Sequence, residues 1–485
     1  MSDQAKPDTP EQDNPPKTPP APIHTRHQVK VAGKTLKYSA HTGMMPLRDD
    51  KGDHHANMFY TAYTLEGVSD SATRPLTFVF NGGPGSSSVW LHMGAVGPRR
   101  VKMHDEGWLP QPPYQLEDNP HTWLDQTDLV FIDPIGTGFS RALNPDDNSK
   151  FWSLKGDLDS VGAFIRLYLT RNKRWSSPLF MAGESYGTTR AAGLAGELIN
   201  HGIAFNGILL ISTIINFQTA RFVRGNDLPY ALFLPTYTAT AWYHGRLPDD
   251  LQTQALPDVL AQVEAWTANE YTTALMQGDQ LRAEQRQAIV SQLARFTGLD
   301  EQYIDGTKVR VNIMRFCKEL LRDDNRTVGR LDSRFKGYAD LAVTEFPEFD
   351  PSFSAIIPPY TAMFNQYVRD QLGYETDDPY EILSFTVNQK WEFDRGNFPD
   401  TSDQLRIALE RNPYMQVYIG QGYYDLATPH FAAQYSMNHM GIAPELHDNL
   451  HYYFYEAGHM YYLDINQLAR LKTDVNAFMR DALPD

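Results

Sequence analysis

Four short runs, at residues 76–80, 129–132, 179–181 and 208–212, are almost continuously apolar and rich in β-branched and aromatic side chains. Each is followed by a Gly-rich or polar turn. A strand with one face in water alternates apolar and polar residues; a run without alternation needs apolar neighbours on both faces. These runs therefore predict strands inside a sheet covered on both sides by helices, as in α/β proteins. Between them, residues 154–169 place Leu158, Val161, Ile165 and Leu169 on one helical face. Strand character returns at residues 415–419 and 451–455, and a last helix is expected over about 465–481.

The pattern changes between residues 216 and 375. Aromatics and helix formers dominate there, and stretches 251–274 and 281–295 carry apolar residues at helical spacing without a strand of the earlier type. The expected organisation is a core over 27–215, a helical cap insertion over 216–375, and the rest of the core over 376–485. Ahead of it, seven prolines in the first 22 residues leave too little apolar surface to offset ordering entropy. Residues 1–26 thus read as a disordered, partly extended tail, either passive or a partner's ligand. No internal repeat is present.

A formal net charge of −16 argues against nucleic acid or anionic membrane as the main partner, since both call for basic patches. Cys317 is the one cysteine, so no intramolecular disulfide forms, and its apolar surroundings suit packing better than nucleophilic chemistry. The residues after Met1 lack a basic segment leading into an apolar one, and no window approaches ~20 apolar residues. A cytoplasmic, soluble protein is expected. No cofactor or metal is expected: His54 and His55 are adjacent and do not share a face, and Gly136-Thr137-Gly138 is too short for a phosphate loop.

Gly183-Glu184-Ser185-Tyr186-Gly187 has the G-x-S-x-G form of a nucleophile elbow, with a strand before it and a helix after it. An ordinary turn is the alternative. A serine hydroxyl attacks only when a base takes its proton and an acid holds the base. In α/β-hydrolases these follow in the order Ser, Asp, His on loops after late strands. Asp425 lies beyond the strand at 415–419, and His459 lies beyond the strand at 451–455 with Gly458 at its flank. Acyl transfer also needs donors for the oxyanion. One is expected from the N–H of Tyr186, and another from the loop that follows residues 76–80, Asn81-Gly82-Gly83-Pro84-Gly85.

Together, Asn81-Gly82-Gly83-Pro84-Gly85-Ser86-Ser87, Gly183-Glu184-Ser185-Tyr186-Gly187, Asp425 and Gly458-His459-Met460 resemble the serine carboxypeptidase family, most closely its bacterial members. Asp133-Pro134-Ile135-Gly136-Thr137-Gly138-Phe139-Ser140 is similar to another of its strand-end loops. The resemblance implies an α/β-hydrolase fold with a mostly parallel sheet and a helical cap. It implies a Ser185–Asp425–His459 triad and oxyanion donors at Gly83 and Tyr186. Asn81, Gly82 and Glu184 would hold the free α-carboxylate of a peptide substrate, and Met460 would line the leaving-residue pocket. Two carboxylates repel unless one keeps its proton, so a Glu184 grip implies acidic working conditions; otherwise Glu184 points into solvent.

Two positions depart from that pattern. Where the family often has a second glutamate this chain has Ala95, with Arg99 and Arg100 nearby as substitutes, and Ser86 stands where secreted members have a disulfide cysteine. The loss at Ala95 leaves an esterase or acyltransferase on the same triad as the alternative reading. A non-catalytic interaction module is the reading from another class, with the Pro-rich tail as its one supporting feature. The oligomeric state is not encoded in any recognisable pattern.

Overall fold

The computed structural model describes residues 19–49, 51–392 and 398–484. The parallel part of the sheet consists of β4 (Leu76–Phe80), β5 (Asp128–Ile132), β6 (Leu179–Ser185), β7 (Gly207–Thr213), β8 (Gln416–Gly422) and, at its edge, β9 (Leu450–Tyr455). Ahead of them lie β1 (Ile23–Val31), β2 (Lys34–Arg48) and β3 (His54–Leu65). The ten-stranded sheet runs β1-β2-β3-β5-β4-β6-β7-β8-β9, with the two-residue strand Arg141–Ala142 added beside β3. From β5 to β9 every neighbouring pair is parallel, whereas β1, β2, β3 and β5 pair antiparallel. The chain order reverses at β4 and β5, and the carboxyl ends of parallel strands at such a reversal are where α/β proteins place their sites.

Side-chain alternation explains the unbroken apolar runs. Phe78 and Phe80 enter the core on one face of the sheet while Val79 enters the core on the other; Ile208 and Leu210 are likewise set against Leu209 and Ile211. Helix α1 (Leu154–Arg171) buries Leu158, Val161, Ile165 and Leu169 as its periodicity predicts, and Ser153 caps it by accepting from Gly156 N–H at 3.1 Å. Helix α2 (Tyr186–Leu198) follows β6 directly.

The amino-terminal expectation needs correction. Order was expected from residue 27, but β1 begins at Ile23 and pairs along its whole length with β2. Its exposed positions carry His24, Arg26, Gln28 and Lys30, so the alternation there is polar against weakly apolar and reads poorly in composition. The Pro-rich stretch over residues 1–18 lies outside the described residues.

The insertion is largely helical. Helices α3 (Leu228–Tyr243), α4 (Leu256–Trp266) and α5 (Ala283–Thr297) build a separate core around Phe233, Tyr237, Val263, Leu293 and Phe316, joined from the main body by Leu426. Cys317 is buried in this core, where desolvation pushes its thiol up, as a packing residue. A short antiparallel pair, Arg326–Val328 with Lys336–Tyr338, follows. Helix α6 (Pro351–Asp370), expected within the cap, instead buries Ile356, Tyr360, Phe364 and Tyr367 in the core beside the sheet. Its apolar stripe is matched by Leu91 and Met93, so the helix belongs to the body although its sequence resembles its cap neighbours. No helix among the described residues is long and apolar enough to cross a membrane.

Candidate active site

Strand β6 ends at Ser185, whose backbone has φ 59° and ψ −129°, before α2 starts at Tyr186. A non-glycine residue at positive φ is strained, and such strain gathers where a side chain must be thrust out of a turn. The flanking glycines are required by contact. A Cβ on Gly183 would sit 2.1 Å from Gly187 O, and one on Gly82 would sit 2.4 Å from Tyr186 N. The loop after β4 therefore lies backbone to backbone against the elbow. Tyr186 heads α2, and first-turn N–H groups have no partner inside their own helix. Arg190, buried on α2, donates to Asn81 O at 2.6 Å and to Asp157 Oδ2 at 2.8 Å, fixing the loop to α2 and α1.

Asp425, beyond β8, is buried, and its carboxylate contacts hold one oxygen toward His459. Its Oδ1 accepts from Ala427 N–H at 2.7 Å and Thr428 N–H at 3.0 Å, while Oδ2 accepts from Thr428 Oγ1 at 2.6 Å and meets His459 Nδ1 at 2.7 Å. A proton held on Nδ1 by this contact leaves Nε2 as the acceptor. Burial disfavours the charged ring, but Asp425, with a smaller contribution from Glu184, outweighs it and lifts His459 above its ordinary value. The loop carrying His459 is clasped from the insertion: His459 N–H donates to Leu331 O at 2.6 Å and Gly458 N–H to Asp332 Oδ2 at 3.1 Å. Arg334 in turn binds Asp332 at 2.8 Å and Glu456 O at 3.2 Å.

Ser185 and His459 line one cavity of about 390 Å³ together with Asn81, Gly82, Gly83, Glu184 and Met460. Of the residues singled out from sequence, Asp425 reaches that cavity through His459, and Tyr186 lies on its far side. There a second cavity of about 420 Å³ opens, bordered by Pro84, Ser185, Tyr186, Phe217 and Thr428. Trp90, Leu331, Phe353, Ile356, Leu383 and Phe385 give the first cavity an apolar wall, and Arg330 borders both. None of these wall residues stands in a recognisable motif: Phe353 and Ile356 come from α6, Trp90 from the helical turn after the 81–87 loop, and Leu331, Leu383 and Phe385 from segments distant in the chain.

Glu184 does not point into solvent. It is 3% exposed, and desolvation is the largest influence on its carboxyl, lifting it from 4.5 to about 7 against the opposing pull of His459 and Tyr462. Tyr462 Oη donates to Glu184 Oε2 at 2.5 Å. Asn81 Oδ1 accepts from Leu91 N–H at 3.1 Å, and its Nδ2 is buried without a complete hydrogen bond among the described residues. The two arginines considered as substitutes at Ala95 are engaged elsewhere: Arg99 with Asp118, and Arg100 with Glu117 at 3.5 Å. Ser86 accepts from Trp90 Nε1 at 2.7 Å. Asp133, whose loop follows β5, accepts from Ser88 N–H at 2.8 Å, Ser88 Oγ at 2.7 Å and Tyr380 Oη at 2.8 Å, tying the two strand-end loops together.

A family model described as serine carboxypeptidase matches residues 31–456. The chain is 30% identical over 178 residues to the pheromone-processing carboxypeptidase KEX1 of Saccharomyces cerevisiae, covering 33% of this chain and 22% of that protein. It is 29% identical over 167 residues to serine carboxypeptidase-like 36 of Arabidopsis thaliana, covering 33% of each. With carboxypeptidase Y homolog A of Paracoccidioides lutzii it shares 25% identity over 228 residues, covering 45% of this chain and 36% of that one. These matches span between about a fifth and about a third of the relatives' own length. The crystal structure of Kex1(delta)p, a prohormone-processing carboxypeptidase from Saccharomyces cerevisiae, aligns over 91% of both chains with TM-score 0.56 at 18% identity, a shared α/β-hydrolase fold. With the family match running from β1 to just past β9, the chain belongs to the serine carboxypeptidase family.

Proposed function

We propose that the protein is a serine carboxypeptidase that removes C-terminal residues from peptides, with Ser185 as nucleophile, His459 as base and Asp425 as the group that orients it. The observation carrying this reading is Glu184: a buried carboxyl held near neutrality in the same cavity as Ser185 and His459. A carboxyl that keeps its proton can donate to a substrate carboxylate, and the neighbouring Asn81 amide offers a second donor. A substrate without a free carboxylate gives such a group nothing to hold.

In the mechanism, Nε2 of His459 accepts the Ser185 proton as Oγ attacks the scissile carbonyl. The N–H groups of Gly83 and Tyr186 receive the oxyanion, one from each side of the elbow. His459 then protonates the departing amine, and water repeats the sequence to release the acyl group. The leaving residue would occupy the cavity walled by Phe353, Ile356, Phe385 and Met460, which suits an apolar C-terminal side chain. Met460 and Gly82 shape that cavity beside Asn81 and Glu184.

The test compares a blocked dipeptide bearing an apolar C-terminal residue with the same peptide amidated, in the wild type and in Ser185→Ala. Preferential release from the free acid below neutral pH, abolished in Ser185→Ala, supports the reading. Equal turnover of the amide at every pH, or turnover that persists in Ser185→Ala, refutes it.

A further inference from the structure

The family resemblance leaves a gap at Ala95, where a second carboxyl is often found, and neither nearby arginine fills it. Ala95 is fully buried in the turn His92–Val96. Two aromatic rings pack against that turn: a Cβ on Gly94 would stand 2.6 Å from Tyr360 Oη and 2.6 Å from Tyr462 Cε2. Both tyrosines are fully buried. Tyr462 Oη reaches Glu184 Oε2 at 2.5 Å, while Tyr360 Oη completes no hydrogen bond among the described residues.

We infer that Tyr462 is the positioning residue for the carboxylate grip, taking the place of a second acid by pinning one oxygen of Glu184 so that the other presents its proton to the substrate's α-carboxylate. This rests on the carboxypeptidase reading above. The chemistry differs from that of a carboxyl pair. Two acids share a proton and titrate together, whereas burial keeps the Tyr462 phenol protonated far above the working range. It donates at every pH and leaves one titrating group in the grip. A donor to Glu184 favours the ionised carboxyl, so Tyr462 also sets how high in pH the grip survives.

The groups that face Glu184 can be named from each element around it. Asn81 comes from the loop after β4, Tyr360 from α6, and Tyr461, Tyr462 and His459 from the loop after β9. Asp425 stands behind His459, and Arg330 lies beyond it. Of these, Tyr462 is the one phenol hydrogen-bonded to Glu184, so its removal has a distinctive signature.

The experiment measures free-acid dipeptide release and hydrolysis of a carboxylate-free ester across pH in wild type, Tyr462→Phe and Tyr360→Phe. Loss of the hydrogen bond that holds the protonated Glu184 in position should raise KM for the free acid by up to about tenfold in Tyr462→Phe at pH below the Glu184 midpoint, with kcat within about twofold. Its alkaline limb should move up by about one pH unit, because the ionised form loses a donor. Ester hydrolysis should be unchanged, and Tyr360→Phe should match wild type. An unmoved limb in Tyr462→Phe, an equal loss on the ester, or the same shift in Tyr360→Phe overturns the inference while the carboxypeptidase reading stands. A wild type without preference for the free acid overturns both.

Discussion

Replacing Glu184 by glutamine isolates the proton on which the proposed grip depends. Burial holds that carboxyl at about 7 in place of 4.5, a difference worth about 3 kcal/mol at ~1.4 kcal/mol per tenfold change in proton affinity. Glutamine keeps the shape and donates an N–H at every pH. The assay is kcat/KM for release of the C-terminal residue from a blocked dipeptide, between about pH 5 and about pH 9. In the wild type only the protonated fraction binds substrate, so kcat/KM should fall about tenfold per pH unit above the Glu184 midpoint. The acid limb belongs to His459, which must be neutral to act and whose value is raised. Glu184→Gln should move that acid limb down, because the Glu184 charge helps to raise His459, lose the alkaline limb, and overtake the wild type about one unit above neutrality. The same proton appears in stability. Unfolded Glu184 ionises near 4.5 and folded Glu184 near about 7, so the native state binds more protons in that window and stability falls as pH rises through it. The variant should lack this decline of about 3 kcal/mol. An alkaline limb that survives in Glu184→Gln with an unchanged midpoint would refute the reasoning, because the limb would belong to another group.

Asp425→Asn should lower kcat by about 10⁴ with little change in KM, since the wrong His459 tautomer is then favoured; steady-state kinetics with near-unchanged circular dichroism checks it. Asp332→Ala leaves buried Arg334 with the Glu456 carbonyl at 3.2 Å and the more distant Asp464 carboxylate at 3.4 Å, and removes the acceptor of Gly458 N–H. It should destabilise the fold by about 3 kcal/mol and lower kcat through the His459 loop, as read by thermal melts and turnover. Gly82→Ala places a Cβ 2.4 Å from Tyr186 N and 2.7 Å from Glu184 O. It should abolish turnover of esters and peptides alike, because the clash falls on the elbow and its oxyanion donor.

Much of the site was readable in one dimension because its parts are local. The glycines around Ser185 and after Asn81 are demanded by backbone approach within a few residues of a turn, and the strands before them are marked by unbroken apolarity. Asp425 and His459 could be chosen because each follows such a strand. The strands β1 to β3 were harder: β1 alternates His24, Arg26, Gln28 and Lys30 outward, and its pairing with β2 depends on backbone hydrogen bonds that composition does not record. Helix α6 shows the opposite limit. Its amphipathic stripe is plain, but whether that stripe faces the cap or the sheet depends on which apolar surface is left uncovered.

By itself the chain determined an α/β architecture, the elbow at Ser185, the order of its partners and the membership that its motifs announce, since all of these rest on short-range sterics and periodicity. Tertiary structure alone decided that Glu184 is buried and held at about 7. It also decided that Tyr462, 278 positions away, donates to Glu184, and that a segment of the insertion clasps the loop of His459. Desolvation and long-range hydrogen bonding are properties of what surrounds a side chain in space. A carboxyl that reads as an ordinary acid in sequence is pushed toward keeping its proton only once the folded chain has removed its water.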